Sequence, residues 1–332
     1  MVPMLSHLRL LNSVDNELSH GQILKLWEFC NLLSGSMNSR FILRGESNRN
    51  LMRQFNADSH TPDLLASCLF MTGEKVRMCW EENGGYDPDD TSNENFLNIC
   101  RSLIKYIEDG VNSGGNRAKR IKSFCEKNEE FFAGIKNESA LIEAYEKLEP
   151  EDKRKVNLYY LAIAHTINDR EYRDVSSLIS TTTNANVADR FAHDLIIFGW
   201  VPKIIGKNSV WRRTIEHVDI NDKQPIMQTG LPYCKVSVFP NQEEIAIRCG
   251  LLPHFIIGFA IEKDFYVNPA VFSAIETMHE LDSFRGLSAY RRKVLLYGLE
   301  INQENFEEFC QRTNFKRYYT FDEGGYKIHR VR

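Results

Sequence analysis

The sequence contains no apolar run near the roughly 20 residues that a membrane-crossing helix needs, so neither a span nor a membrane partner is expected. Its amino-terminal stretch, MVPMLSHLRLLNSVDNELS, has its apolar run broken by His7 and Arg9 and lacks a basic leader, so it is not read as a signal peptide. The eight cysteines include no C-x-x-C pair. Scattered and mostly set among apolar neighbours, as in ASCLF and NICRSLI, they read as reduced, buried thiols, and a cytoplasmic location is the expectation. Neither sign of charge dominates: 41 Lys and Arg stand against 45 Asp and Glu, a net of −4. No global field draws such a chain to nucleic acid, and any affinity of that kind has to come from a local patch.

Several chemical signatures are also missing. The nine histidines form no H-E-x-x-H and join no cysteine pair at zinc spacing, so no metal is expected. DPDDTSNENFLN (87–98) alternates oxygen ligands like a calcium loop. It has Ser92 where glycine belongs and Asn98 where the closing glutamate belongs, and reads as a polar loop. The absence of G-x-S-x-G, P-loop and G-x-G-x-x-G motifs removes the usual entries to hydrolase, NTPase and dehydrogenase chemistry. There is no internal repeat and no low-complexity segment.

What is present is ordinary globular composition, 42% hydrophobic and 26% charged, in a chain of 332 residues that can bury a full core. Residues 1–38 read as two helices, and RFILRGESNR then supplies a short strand, Phe41 to Leu43, ending at Arg44-Gly45. From 60 to about 170 the text is helical: ENFLNICRSLIKYIEDGV, RIKSFCEKNEEFFAGI and ALIEAYEKL all carry i, i+3/i+4 apolar spacing. After 172 come short β-rich runs, VSSLIS, LIIFGWVPKII, KVSVF, EIAIRCGLL and HFIIGFAI. Residues 270–332 return to helix and close with the aromatic-basic tail NFKRYYTFDEGGYKIHRVR. The class expected is α+β, with a helical leader (1–39), a core (40–265) interrupted by a helical insertion at about 60–170, and a C-terminal extension (266–332).

Three separated pieces carry chemistry: a strand ending in Arg44-Gly45, a strand ending in Ser180-Thr181-Thr182, and FPNQEEIAI, where Phe239, Gln242 and Glu244 lead into a strand. Each has a plain reading. Arg44 can be a solvated surface charge, the hydroxyl run a helix cap with Asn184 or Asn186 as N-cap, and Glu243-Glu244 an exposed acidic turn.

Together, and in this order, they resemble the arginine, Ser-Thr-Ser and Gln/Glu-x-Glu signature of the Arg-Ser-Glu class of mono-ADP-ribosyltransferases, in its Gln-x-Glu subtype. STTTNANVADRFA is similar to the family's hydroxyl strand followed by A-x-x-F-A, with Thr182 in place of the second serine. The resemblance covers roughly 40–47 and 172–262, with a longer gap between Arg44 and Ser180 than the family usually has. It implies a two-sheet β core, NAD as co-substrate, and Glu244 as the catalytic carboxylate facing the ribose. It implies Arg44 and Gly45 at the NAD phosphates, and Ser180, Thr181 and Thr182 as a shelf, with Ser180 bonding Glu244 or the ribose. Phe239 and Gln242 fall on the acceptor-recognition turn, and glutamine in place of a second glutamate argues against an arginine acceptor.

An amide suits another amide or a nucleobase edge. In the tail, Lys316, Arg317, Tyr318 and Tyr319 interleave cations and aromatics in a way that suits a single nucleic-acid strand, while a small C-terminal strand pair accounts for the same residues structurally. A second basic stretch lies at 207–214. The expectation is a toxin-like transferase acting on RNA, a nucleobase being the favoured acceptor, with a neutralising antitoxin implied. The alternatives are transfer to an Asn or Gln side chain of a protein, and a catalytically silent NAD-fold interaction module.

Overall fold

The computed structural model describes residue 24 and residues 39–54, 61–74, 87–167, 178–202, 216–248, 250–251, 255–261, 264–268, 319–322 and 325–328. The helices expected in 1–38 (apart from Leu24), those of the C-terminal extension, the 207–214 stretch, and Lys316, Arg317 and Tyr318 lie outside the described residues. In chain order the elements are β1 (Ser39–Glu46), α1 (Asn48–Gln54), α2 (Pro62–Thr72), α3 (Asn93–Asn112), α4 (Gly115–Lys127), α5 (Glu129–Lys136), α6 (Glu138–Glu146) and α7 (Pro150–Ile167). They continue with β2 (Leu178–Thr182), α8 (Ala185–Phe191), β3 (Leu195–Pro202), β4 (His217–Asp219), α9 (Gln224–Met227), β5 (Glu244–Arg248), β6 (Ile256–Ile261), β7 (Asp264–Val267), β8 (Tyr319–Asp322) and β9 (Gly325–Ile328). The chain divides into two compact units, one of residues 1–82, 181–216 and 247–332, the other of 83–180 and 217–246. The division passes through β2 and β5. No described helix is long and apolar enough to cross a membrane.

In the first unit the strand order is β2-β1-β3-β6-β7, and every pair with a defined register is antiparallel. β1 and β3 pair along their whole length, from Ser39 opposite Pro202 to Glu46 opposite Leu195. Ile42, Leu43, Leu195, Ile197, Phe198, Trp200, Val201, Ile256, Ile257 and Phe259 are all buried. Adjacent residues buried on successive positions mark strands covered on both faces. Trp200 meets Phe255 edge-on at 4.9 Å and Phe198 meets Phe265 at 5.1 Å. Arg44 is not at the strand end, as the sequence had implied: β1 runs two residues further, and Glu46 closes it. The reason is the full ladder with β3, which keeps Arg44, Gly45 and Glu46 extended opposite Ile197, Ile196 and Leu195.

The second unit is mostly helical, with β4, β5 and β2 in that order at its sheet. α3 starts at Ser92, whose side chain accepts from the Asn95 N–H, and it buries Phe96, Ile99, Cys100, Leu103 and Ile107 along one stripe. α7 is buried without interruption from Val156 to His165, so it forms the centre of this unit's core. Around it Phe96 stacks on Tyr145 at 4.0 Å and Phe131 meets Tyr160 edge-on at 5.8 Å. Cys100 is a free, buried thiol whose burial pushes its pKa up to about 12, the state of a packing residue rather than a nucleophile.

Two expectations need correction. KVSVF is not a strand, because side chains take the backbone groups of Val236 within it and of the residues just before it. Tyr159 Oη accepts from the Cys234 N–H at 3.0 Å, Asn128 bonds both the N–H and the C=O of Val236, and Tyr160 Oη donates to Pro232 O at 2.8 Å. RIKSFCEKNEEFFAGI breaks into α4 and α5 at Asn128, the residue that makes those bonds to Val236. The described residues form one seven-stranded sheet and a separate β8–β9 hairpin. The hairpin places Tyr319 in a C-terminal strand pair.

α8 lies on β1 through a glycine. A Cβ on Gly45 would sit 2.1 Å from Ala188 O and 2.5 Å from Ala192 N, both backbone atoms that no rotamer change can move. Gly45→Ala should therefore destabilise the protein by about 1–3 kcal/mol or more, read as a lower urea midpoint. An unchanged midpoint would show that α8 is not held against β1 at this point.

Candidate active site

Ser180 is the one residue of β2 that is not buried, and its Oγ donates to Glu244 Oε1 at 2.6 Å. His165 Nε2 lies 2.8 Å from the same Ser180 oxygen. A serine hydroxyl has one proton. Since that proton goes to Glu244, Ser180 accepts from His165, and the imidazole carries a proton on Nε2. On the other carboxylate oxygen, Thr166 Oγ1 lies 3.1 Å from Glu244 Oε2 and 2.9 Å from Ala162 O, so its single proton is shared between the two. Glu244 is only 7% exposed and His165 4%. All four residues belong to the second unit. The carboxylate plane is held at both oxygens by hydroxyls from two different elements, β2 and α7.

The chain enters this site through a strained turn. Pro240–Gln242 form a single 3-10 turn, closed by the Gln242 N–H on Phe239 O at 3.0 Å. Glu243 then takes a left-handed conformation at φ 47°, the one non-glycine among the described residues to do so. That twist separates neighbours of like charge: Glu243 is exposed, while Glu244 starts β5 as a buried residue. The acidic-turn reading thus holds for Glu243 and fails for Glu244. Phe239 and Gln242 remain partly exposed on the turn, and the Arg120 guanidinium lies 5.8 Å from the centre of the Phe239 ring.

The remaining predicted residues belong to the first unit. Arg44 Nε donates to Glu74 Oε1 at 2.5 Å and its Nη2 to Glu46 Oε2 at 2.7 Å. The Glu74 side chain is fully buried, and Arg44 itself is 11% exposed. Arg44 is thus no solvated surface charge, and the two carboxylates hold its pKa above the ordinary arginine value against the opposing effect of burial. Gly45 is occupied by the approach of α8. Thr181 and Thr182 are buried, and Thr182 Oγ1 accepts from the Asn184 N–H at 3.0 Å. Asn184 is the N-cap of α8, bonding the Asn186 N–H, so the hydroxyl run both feeds a cap and presents Ser180.

The fold thus brings Ser180 and Glu244 into direct contact and adds His165 and Thr166, which sequence reasoning missed. The signal was legible in LYYLAIAHTI: a lone histidine and threonine closing an otherwise apolar buried helix need polar partners. Comparison with protein-family models, with curated proteins and with solved structures returns no match.

Removing the Ser180 hydroxyl takes a hydrogen bond from two buried groups, whereas Ala162 O, the second partner of Thr166, is a backbone carbonyl inside α7. Ser180→Ala should cost about 1–3 kcal/mol and Thr166→Val less, measured by urea unfolding. A larger loss for Thr166→Val would make the Thr166 contact the principal tie on Glu244.

Proposed function

We propose that this protein is an NAD-dependent mono-ADP-ribosyltransferase, toxin-like, that transfers ADP-ribose to a nucleobase in single-stranded RNA. The observation that carries the reading is the Ser180–Glu244 hydrogen bond. The hydroxyl strand and the Gln-x-Glu turn, 64 positions apart, meet in one buried, oriented carboxylate beside a partly exposed glutamine.

Such a carboxylate suits the chemistry. The bond from ribose C1′ to the nicotinamide nitrogen breaks, the electron pair leaves with neutral nicotinamide, and positive charge develops on the sugar. Glu244 faces that charge already oriented by Ser180 and Thr166, so little reorganisation is needed as the charge grows. A nitrogen or oxygen of the acceptor base attacks C1′, and its proton passes to solvent. His165 holds Ser180, which holds Glu244, and acts as a positioning residue. Gln242 offers both a donor and an acceptor to the base edge. An enzyme that modifies RNA in its own cell implies a neutralising antitoxin.

A second reading is favoured by one observation. Arg44, the expected phosphate ligand, is already engaged by Glu46 and Glu74, as befits a catalytically silent NAD-fold module. Turnover separates the two. With labelled NAD and separate RNA, DNA and protein pools, label should enter RNA, and Glu244→Gln should lower the rate roughly 10²–10³-fold. NAD binding without turnover by the native protein would establish the silent module. Label confined to the protein pool would move the acceptor to an Asn or Gln side chain.

Gln242→Ala should lower transfer to RNA more than hydrolysis of NAD to free ADP-ribose, since Gln242 is assigned to the acceptor alone. Equal loss of both would place Gln242 at the NAD. His165→Phe should lower the rate at saturating NAD with little change in the NAD KM, because it acts through the orientation of Glu244.

A further inference from the structure

α4 is the most basic helix of the described chain. It carries Arg117, Lys119, Arg120, Lys122 and Lys127 against Glu126 alone, a surplus of four positive charges in a protein whose net charge is −4. Helical spacing puts Arg117, Arg120 and Lys127 on one flank of its buried face, spanning about 15 Å. Five other cations of this unit meet carboxylates: Arg101 with Glu138, Lys147 with Glu143, Arg154 with Asp89, Lys155 with Asp152 and Lys235 with Glu130. Lys119, Arg120, Lys122 and Lys127 form no ion pair among the described residues, and all four are exposed.

This flank borders the Glu244 site at two places. Arg117 Nη2 donates to Ile167 O at 3.1 Å, and Ile167 follows Thr166, which bonds Glu244. One turn along, Arg120 lies over Phe239 on the turn that leads to Gln242 and Glu244. Asn128, just past the end of α4, ties down Val236 at the start of the same segment. The loop of residues 236–239 is thereby pinned along α4, with its aromatic ring against a guanidinium.

We infer that this flank of α4 is the contact surface for the phosphate backbone of single-stranded RNA, with Phe239 and Arg120 as the platform on which one base stacks. The choice of RNA rests on the proposed function. The chemistry is that of single-strand recognition: cations following the backbone, with a ring and a planar cation offering faces that a duplex has no free base to meet. An acidic peptide would pair with the cations and leave the platform unused.

The test is binding without chemistry: fluorescence anisotropy of a labelled, unstructured oligoribonucleotide with the full chain and no NAD. Affinity should fall steeply as salt rises, and Arg120→Ala and Lys127→Ala should each lower the log–log salt slope by about one. Phe239→Ala should weaken binding roughly five-fold or more. Arg120→Lys, which keeps the charge and loses the plane, should keep the slope and lose affinity. Thermal melts of each variant establish that it is folded. The inference is overturned if the native protein shows no salt-dependent RNA binding, or if folded Arg120→Ala and Lys127→Ala bind as it does. Tighter binding of DNA of the same sequence, or displacement of the RNA by an acidic peptide at equal concentration, also overturns it. RNA binding by a protein with no NAD turnover would overturn the transferase and leave this surface standing. NAD turnover without RNA binding would do the reverse.

Discussion

A carboxylate taken out of water has to be hydrogen-bonded, and Glu244 meets that requirement with hydroxyls from two elements, 64 and 78 positions away from it in the chain. Ser180 comes from the middle of β2 and Thr166 from the last turn of α7, so orienting one side chain ties both elements to the first residue of β5. His165 completes the arrangement by donating to the oxygen that Ser180 leaves as an acceptor. Each group is satisfied by the next. Disturbing one member disturbs the orientation of the carboxylate itself.

The same principle recurs away from the site. Asn128 ends one helix, precedes another and bonds both backbone groups of Val236, while Tyr159 and Tyr160 take the backbone of Cys234 and Pro232. Asn157 links Tyr145 to the turn at residues 87–90. The helices of residues 93–167 therefore do more than enclose a core. They hold the loop that leads to Gln242 and contribute His165 and Thr166 directly, so the helical insertion belongs to the candidate site.

In the first unit the electrostatics are of another kind. Arg44 sits between Glu46 and Glu74, and the Glu74 backbone pairs with Leu251 in both directions. A buried charge pair of this geometry is costly to break, because removing one partner strands the others in low dielectric. It fixes the end of α2 against the chain that precedes β6, and Gly45 next to it lets α8 close on β1.

The α+β class, the helical character of residues 93–146, the approximate places of several strands, and the three chemistry-bearing pieces were legible in the sequence, because periodicity is a local property. Ser180 and Glu244 could be singled out by residue type and order. The irregular path of KVSVF, the break at Asn128 and the full length of β1 could not, since each depends on where distant side chains or strands deliver their hydrogen bonds. The roles of His165 and Thr166 belong to that second class. The sequence by itself determined that a histidine and a threonine end an apolar helix and must find polar partners. Only the tertiary structure decided that those partners are a serine 15 positions away and a glutamate 78 positions away. Burial demands a hydrogen bond, but the identity of the partner is set by packing.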